Sequence, residues 1–378
     1  MVNIATIGTS LISNDFIEVI CANAGATYVG TLSRSAEHAA SFTAERGGTH
    51  PFTSLDELAG CDEVDAVYIG SPNGLHAEQA LACIAAGKHV IVEKPFASNE
   101  WEARRVFEAA EAAGVVALEA MRPLHDPAFR ACQDAIGELG RVRRAGLHFG
   151  KFSSRYLEVL AGRQTNIFDC TMASGSLMDI GVYCVEPMIE LFGAPERVAS
   201  STVLLDEETR GVTNGPIDGA GDIICTYADK TVVLHHSKIT NDNLSCQVEG
   251  EDATLLFGGV SCPKWGKIEF RGEVGRSSAK AVRVASGAKT CDLELPACEN
   301  TMCYELADFL AAIEAVRDGA APADAAAGSW GTVAHYRDVT LASLAVMDEV
   351  RRQGGVVFPA DEKARAAEGG AGAAAPQA

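Results

Sequence analysis

The chain lacks several patterns that would identify whole classes of protein. None of its twelve cysteines belongs to a Cys-x-x-Cys pair, and no Cys/His cluster has the spacing of a zinc site, so we expect neither a disulfide framework nor a bound metal. No stretch reaches the roughly 18 uncharged apolar residues of a membrane helix. The amino terminus has no basic segment before a long apolar run. These absences predict a cytoplasmic protein with reduced, mostly buried thiols.

Basic residues are also scarce. The chain has 31 lysines and arginines against 51 acidic residues, which gives a formal net charge of −20. Nucleic acids and anionic membranes are bound by concentrated positive charge, so neither is expected as a partner. The expected partner is a small-molecule substrate. The length of 378 residues is typical of two domains.

The first third of the chain alternates between short apolar runs and longer helical patterns. Predicted strands cover residues 2–7, 26–32, 65–70, 88–93 and 115–120, and predicted helices cover residues 15–24, 35–45, 76–86 and 98–113. This alternation is typical of a parallel sheet covered by helices on both faces. We therefore assign residues 1–121 to a Rossmann dinucleotide-binding domain.

From residue 122 the pattern changes to apolar residues at every second position, which indicates antiparallel strands. These runs cover residues 141–152, 196–205, 221–239, 244–258 and 266–272, and helical patterns cover 127–136, 169–191, 302–316 and 329–352. The expected fold class is α/β, with the Rossmann domain followed by an α+β domain (residues 122–358) that contains a large, mostly antiparallel open sheet. Residues 359–378 are rich in alanine and glycine and are expected to form a flexible tail.

The turn after the first strand is the first candidate for cofactor binding. Only one glycine of the dinucleotide fingerprint G-x-G-x-x-G remains there, and small hydroxyl residues follow it: Gly8, Thr9, Ser10 and Ser13. Backbone N–H groups at a helix N-terminus bind a pyrophosphate, and hydroxyl groups can replace some of the glycines as donors. An ordinary N-capped turn explains the same residues equally well.

The end of the second strand indicates which dinucleotide is preferred. Ser33 and Arg34 stand where a site selective for NAD carries an acidic residue. A carboxylate would repel the 2′-phosphate of NADP, whereas serine and arginine bind it. The sequence therefore predicts NADP as the cofactor, with NAD possible, although an arginine at this position could also be merely solvated.

Two further polar segments follow the predicted strands at residues 65–70 and 88–93, at the edge where open α/β sheets bind ligands. The first contributes Ser71, Pro72 and Asn73, with His76 at the start of the next helix, where it could serve only as a cap. The second is "EKP", in which Glu93 and Lys94 end an apolar strand. All six residues are predicted to line the cofactor cleft, and Glu93 is expected to anchor local structure rather than take part in the reaction.

Four motifs in this order resemble the glucose–fructose oxidoreductase and inositol dehydrogenase family (Gfo/Idh/MocA). They are "IGTS", "SPNGLH", "VEKPFA" and "ASGSLMDIGVY", and they run from residue 4 to about 183. The resemblance implies a Rossmann domain, a second domain whose open sheet forms a homodimer or higher oligomer, and a cis peptide before Pro95. The chain departs from the family pattern at Ser176, where a glycine is common, and at Tyr183, where many members have histidine.

The resemblance also implies catalytic roles for Lys94, Asp179 and Tyr183. Residues 179 and 183 share one face if the segment is helical. The lysine ammonium is expected to lower the pKa of the tyrosine, and the aspartate to orient the lysine or a substrate hydroxyl. If Lys94 were absent, the simpler interpretation would be that Asp179 is a helix N-cap and that Tyr183 is a packed aromatic side chain.

The expected function is hydride transfer between NADP and a hydroxyl or carbonyl carbon of a sugar, cyclitol or related diol. One alternative is a reductase of a less polar carbonyl or dihydrodiol. The other is a dinucleotide-sensing regulator of the same fold, which would not need the catalytic set of lysine, aspartate and tyrosine.

Overall fold

The computed structural model describes residues 1–272 and 289–372 and begins with a five-stranded parallel sheet. The strands lie in the order β2-β1-β3-β4-β5 and are β1 (Val2–Ile7), β2 (Ala26–Leu32), β3 (Ala66–Ile69), β4 (His89–Glu93) and β5 (Ala117–Ala120). The helices between them are α1 (Leu11–Ala22), α2 (Ala36–Glu45), α3 (Leu55–Ala59), α4 (His76–Ala85) and α5 (Glu100–Ala113). This confirms the predicted Rossmann architecture.

Alternate residues of these strands enter two separate hydrophobic cores. Ile4, Tyr68 and Ile91 belong to one cluster, while Val67 and Val90 belong to the other. Successive strand side chains point to opposite faces, so helices on both faces are needed to bury them. The apolar run before Glu93 is therefore fully buried up to the carboxyl edge of the sheet.

The polar segments after residues 70 and 93 follow β3 and β4, the third and fourth strands along the chain. Residues between β2 and β3 add no strand to the described sheet, because Phe52 makes only an isolated parallel bridge with Leu32. Both segments still lie at the carboxyl edge, as expected, since β3 and β4 are parallel neighbours.

The second half contains an eight-stranded sheet in the order β13-β12-β11-β10-β6-β9-β8-β7. Its strands are β6 (Val142–Gly150), β7 (Arg197–Leu204), β8 (Asp218–Thr226), β9 (Thr231–Ser237), β10 (Cys246–Gly250), β11 (Ala253–Gly258), β12 (Trp265–Phe270) and β13 (Thr290–Asp292). Every pairing is antiparallel except that of β6 with β9, which run parallel with Gly150 opposite Ser237. The prediction of a mostly antiparallel sheet is confirmed.

Further helices follow β5 along the chain. They are α6 (Arg122–His125), α7 (Pro127–Ala135), α8 (Ser154–Leu160), α9 (Val182–Phe192), α10 (Arg210–Thr213), α11 (Met302–Arg317) and α12 (Val333–Gly354), and a two-stranded ribbon, β14 (Ala326–Ala327) with β15 (Gly331–Thr332), precedes α12. Thr340 of α12 donates a hydrogen bond to Glu119 of β5, so the two halves share a buried polar contact. None of the helices in the described ranges is long and apolar enough to cross a membrane.

The chain continues into a helix where a flexible tail was expected. Residues Pro359–Gly372 form α13, and residues 373–378 of the predicted tail lie outside the described ranges. Asp361 accounts for the difference, because its carboxylate accepts hydrogen bonds from Arg351 and from the amide of Asn99. Composition alone did not show these contacts, which join the helix to α12 and to the start of α5.

Candidate active site

The turn between β1 and α1 is shaped by its glycine. Gly8 has a φ of 107°, and a Cβ atom built there would lie 2.6 Å from the carbonyl oxygen of Gly70 at the end of β3. Only glycine satisfies both conditions. Ser10 then caps α1, with its Oγ 3.4 Å from the backbone nitrogen of Ser13 and 3.2 Å from the Ser13 hydroxyl oxygen. Thr9 lies in the turn between them.

Ser33 and Arg34 lie at the end of β2, directly before Ser35, the N-cap of α2. The backbone of Ser33 is held by a 3.1 Å hydrogen bond to the carbonyl oxygen of Phe52. Arg34 is exposed, and within the described ranges its guanidinium makes no ion pair. Neither residue lines the cavities that contain the predicted catalytic residues.

His76 fastens together the loops that follow β3 and β4. Its two ring nitrogens lie 2.8 Å from the carbonyl oxygen of Ser71 and 3.0 Å from that of Pro95, and burial lowers its pKa. The neutral ring donates one of these hydrogen bonds. Asn73 extends the connection to the second domain, because its side-chain amide donates to the carbonyl oxygen of Ala173. The Lys94–Pro95 peptide is cis, as the family resemblance implied.

Glu93 is held on the buried side of this edge. Tyr68 donates a 2.7 Å hydrogen bond to one oxygen of its carboxylate, and the backbone nitrogen of Lys94 lies 3.3 Å from the other. Burial raises the pKa of Glu93, while the charge of Lys94 acts in the opposite direction. These contacts agree with an anchoring role.

Lys94 and Asp179 meet across the two domains. The Lys94 ammonium donates to the Asp179 Oδ1 at 3.0 Å and to the Asp179 carbonyl oxygen at 2.9 Å. The second carboxylate oxygen of Asp179 accepts from Lys238, at the end of β9. Asp179 therefore orients two lysines. Orienting Lys94 was one of the two roles expected for it from the sequence.

Lys94, Asp179 and Lys238 form a charged triad in which the opposite charges stabilise one another. Burial alone would raise the pKa of Asp179, but the ammonium groups of Lys94 and Lys238 outweigh it and hold the pKa well below its usual value. Burial would likewise lower the pKa of Lys94, yet Asp179 and the neighbouring Tyr183 and Glu93 raise it. The lysine is thus a permanent cation and the aspartate a permanent anion at neutral pH.

Tyr183 lies beside the triad on the first turn of α9. The Lys94 ammonium is 4.7 Å from the centre of its ring, and Phe149 packs against the ring edge. The expected lowering of the tyrosine pKa is wrong as a net effect. Burial raises the pKa of Tyr183 to about 12, although Lys94 and Arg122 both act to lower it. The phenol is therefore neutral near pH 7.

Asp179 and Tyr183 are brought together by an irregular helix. Residues Leu177–Gly181 form a π-helical turn that continues directly into α9, rather than one regular α-helix. Gly175 precedes the turn with a φ of 115°, which favours glycine. Ser176, the departure from the family pattern, places its hydroxyl 2.9 Å from the Nδ1 of buried His236.

Two cavities share the three predicted catalytic residues, Lys94, Asp179 and Tyr183. One, of 370 Å³, also contains cofactor candidates and reaches back to the turn after β1 through Ser10, Ser71, Pro72, Asn73, His76 and Glu93. The other, of 350 Å³, lies on the side of the second sheet and includes Phe149, Lys151 and Lys238. Most of the predicted site residues thereby line one or both cavities. Gly8, Thr9 and Ser13 lie in the adjoining turn and first turn of α1 without lining either cavity, and Ser33 and Arg34 lie after β2.

Lys238 and Arg122 were not predicted from the sequence. Lys238 continues the inward alternation of β9 after Val232, Leu234 and His236, all of them buried, and that pattern was a usable signal. Arg122 follows β5 and lines a separate cleft of 1090 Å³ between α1 and the β11–β12 edge. Its charge still acts on Tyr183. No sequence pattern distinguishes Arg122 from a solvated arginine.

The residues at the carboxyl edge fit a dinucleotide. Gly8 lets the turn after β1 pass close to Gly70 at the end of β3, and Ser10 and Ile12 at the start of α1 line the 370 Å³ cavity, so a pyrophosphate bound there would lie near the N-terminus of that helix. In residues 1–272 and 289–372, no three His, Cys, Asp or Glu side chains are placed to hold a metal ion.

Comparison with known families supports the same interpretation. Residues 2–120 match the model described as the oxidoreductase family, NAD-binding Rossmann fold, of GFO_IDH_MocA. Residues 130–256 match the GFO/IDH/MocA C-terminal domain. The two matches follow the division between the parallel and the mostly antiparallel sheet.

Individual relatives match either nearly the whole chain or about half of it. The chain is 34% identical over 362 residues to scyllo-inositol 2-dehydrogenase (NADP(+)) IolU of Bacillus subtilis, covering 96% of this chain and 100% of that protein. It is 31% identical over 200 residues to the mouse trans-1,2-dihydrobenzene-1,2-diol dehydrogenase, covering 51% and 58%. The structure of KijD10, a 3-ketoreductase from Actinomadura kijaniata with NADP and TDP-benzene, matches with a TM-score of 0.74 at 22% identity, over 93% and 97% of the two chains.

Proposed function

Because this chain belongs to the Gfo/Idh/MocA oxidoreductase family, we propose that it transfers a hydride between NADP and a hydroxyl or carbonyl carbon of a sugar, cyclitol or related diol. The observation that carries the proposal is that Lys94, Asp179 and Tyr183 line both the 350 Å³ and the 370 Å³ cavity. A regulator that only senses the dinucleotide would not need this set. The relatives that act on inositol and on a cyclic diol support the same class of substrate.

The nicotinamide of the bound cofactor would supply the hydride chemistry. The residues of this chain orient the substrate and move one proton. Lys94, fixed by Asp179, places a positive charge next to the oxygen of the reacting carbon, where negative charge develops. Tyr183 is the candidate to exchange the proton, since this residue belongs to the same cavity lining as Lys94 and carries a titratable hydroxyl.

The raised pKa of Tyr183 separates the two directions of the reaction. A neutral phenol with a pKa of about 12 is a proton donor near pH 7, which suits reduction of a carbonyl. Oxidation of a hydroxyl requires the tyrosine to accept a proton, so its rate should increase as the pH rises above neutrality. The Lys94 charge assists this direction because it stabilises the phenolate.

The preference for NADP rests on Ser33 and Arg34. The exposed Arg34 follows β2, the position at which Rossmann domains contact the adenosine ribose. A guanidinium without a carboxylate partner in the described ranges is available for a 2′-phosphate. The Bacillus subtilis relative, named for NADP, supports this preference.

We also propose a cytoplasmic homodimer, or a higher homo-oligomer, formed through the outward face of the eight-stranded sheet. Val203 and Ile224 are exposed apolar residues on that face, 52% and 47% accessible. All twelve cysteines carry free thiols, which is typical of a reducing compartment. Sedimentation at micromolar concentration should show a dimer or larger species, and a monomer would contradict the proposed assembly.

A screen of polyols, aldoses and cyclic diols, with the corresponding ketones for the reverse direction, tests the proposed activity. The absorbance of reduced nicotinamide should change with NADP(H) for at least one substrate and change more slowly with NAD(H). Tight NADP binding without turnover of any of these compounds would instead support the sensing role.

A further inference from the structure

Two lysines stand side by side at one edge of the second sheet. Lys151 follows β6 and Lys238 follows β9, the parallel pair in which Gly150 lies opposite Ser237. The pairing continues beyond the strands, because the backbone nitrogen of Lys151 donates to the Ser237 carbonyl oxygen and that of Ser153 donates to the Lys238 carbonyl oxygen. Both residues line the same 350 Å³ cavity, Lys238 as a nearly buried side chain and Lys151 as an exposed one.

The charges that line this cavity do not balance. It contains three lysines, Lys94, Lys151 and Lys238, and a single carboxylate, that of Asp179. Both oxygens of Asp179 are already occupied, one by Lys94 and the other by Lys238. Within the described ranges Lys151 has no ion pair, so nothing on the cavity wall neutralises it.

This excess is unusual because of where it lies. The chain as a whole carries a formal charge of −20, yet this lining carries two more positive than negative charges. The side chains of Lys238 and Lys94 are only 7% and 13% exposed, so solvent screens their charge less than at an open surface. Burying an ammonium with half a carboxylate is unfavourable, and an anion in the cavity would offset that cost.

From this arrangement we propose that the substrate carries an anionic group, a carboxylate or a phosphate, which Lys151 and Lys238 bind in the 350 Å³ cavity. The inference rests on the proposed function, since it names the class of sugar or polyol that the site takes. The reacting carbon lies at Lys94 and Tyr183, and the anionic group lies further along the cavity, at the edge formed by β6 and β9. The charge selects among substrates that share the same hydroxyl chemistry.

Matched substrates test the charge directly. Glucose, glucuronate and glucose 6-phosphate form one set, and galactose, galacturonate and galactose 6-phosphate form a second; each is assayed with NADP(H) and titrated against the NADPH-loaded protein by nicotinamide fluorescence. At least one acidic member should bind and react with a higher kcat/KM than its neutral partner. Preference for the acid or for the phosphate identifies which anion the lysines recognise.

Lys151→Gln removes one charge without touching the reacting centre. Its KM for the preferred anionic substrate should rise about 5- to 20-fold, in the range of one charge-assisted hydrogen bond, and this rise should be several-fold larger than any change in KM for the neutral partner. Lys151→Arg should restore most of the affinity. Lys264→Gln is the matched control, because this exposed lysine lines the separate 1090 Å³ cleft.

The possible failures are distinguishable. The anion subsite is overturned if neutral sugars react and no acid or phosphate has an advantage over them. It is also overturned if Lys151→Gln affects anionic and neutral substrates equally. Either result leaves the proposed function intact. Absence of turnover for every compound counts against the proposed function. The fluorescence titration still decides the subsite in that case, since failure of all the anions to bind more tightly than the neutral sugars would overturn it.

Discussion

The two ends of the cleft are held in shape by different means. Around the turn after β1, the backbone sets the geometry: Gly8 adopts a positive φ against Gly70, and the exposed Arg34 keeps its polar atoms unpaired within the described ranges. Around Lys94, side chains set the geometry, because Asp179 binds two buried ammonium groups. At the turn after β1, polar groups are left free for a ligand to bind. Around Lys94, the side chains already hold one another in place without a ligand.

Removing the lysine from the organised end should have the largest effect. Lys94→Ala takes away the charge that stabilises developing negative charge and one partner of Asp179, so kcat should fall about 10³-fold or more. The dissociation constant of NADP, measured by fluorescence, should change much less. A variant with nearly normal kcat would show that the side-chain network is structural rather than catalytic.

Tyr183→Phe removes only a hydroxyl and keeps the ring that packs on Phe149. Turnover should fall about 10²- to 10⁴-fold with NADP affinity nearly unchanged, since a positioned proton donor contributes that much. The double variant with Lys94→Ala should be little worse than Lys94→Ala alone, because residues that act as one unit are not additive. Nearly normal turnover in Tyr183→Phe would leave Lys94 as the leading candidate for the proton carrier.

Lys238→Gln removes the second partner of Asp179, and we expect it to lower the free energy of unfolding in a pH-dependent way. The low pKa of Asp179 contributes stability that is present above the ordinary aspartate pKa and is lost as the pH falls through the pKa of the folded state. The variant should therefore lose unfolding free energy at neutral pH, and its difference from the wild type should shrink only as the pH falls below about 4, toward the low pKa of Asp179 in the folded protein. Urea titrations at several pH values measure this, and a difference independent of pH would contradict the linkage.

Arg34→Asp should have the smallest effect and should be confined to the other end. The NADP dissociation constant should rise about tenfold or more while that for NAD falls, because a carboxylate repels the 2′-phosphate and accepts from ribose hydroxyls. Arg104→Asp, the same charge change on the exposed face of α5, is the control and should leave both constants unchanged. Equal affinity of the wild type for the two cofactors would remove the basis of the prediction.

The sequence predicted the parts of the site that depend on local pattern. Gly8, Lys94 and Asp179 could be located because strand ends and motifs place them at one edge of a sheet or at the start of a helix. Lys238 was missed because its contact with Asp179 joins residues that are 59 positions apart, and only the fold brings them together. Its inward alternation along β9 could have shown its direction but not its partner.

The pKa of Tyr183 shows a second limit of sequence reasoning. The nearby lysine was correctly expected to lower it, and that contribution is present. Burial acts more strongly in the opposite direction, and the extent of burial depends on how α9 packs against β6 and the cleft. The sign of a pKa shift thus depends on a sum of contributions, of which the sequence supplied one.

The last described helix has a consequence for how the end of the chain is treated in the laboratory. Asp361 supplies one of the two carboxylates that hold Arg351, a guanidinium side chain only 3% exposed. Trimming the protein at residue 358, as the alanine-rich composition of residues 359–378 invites, would leave that arginine with Asp348 as its carboxylate partner in the described ranges. Such a truncation removes an ionic partner from the interior, a change that typically costs about 3–5 kcal/mol. A purification tag placed after residue 378 leaves this ion pair intact.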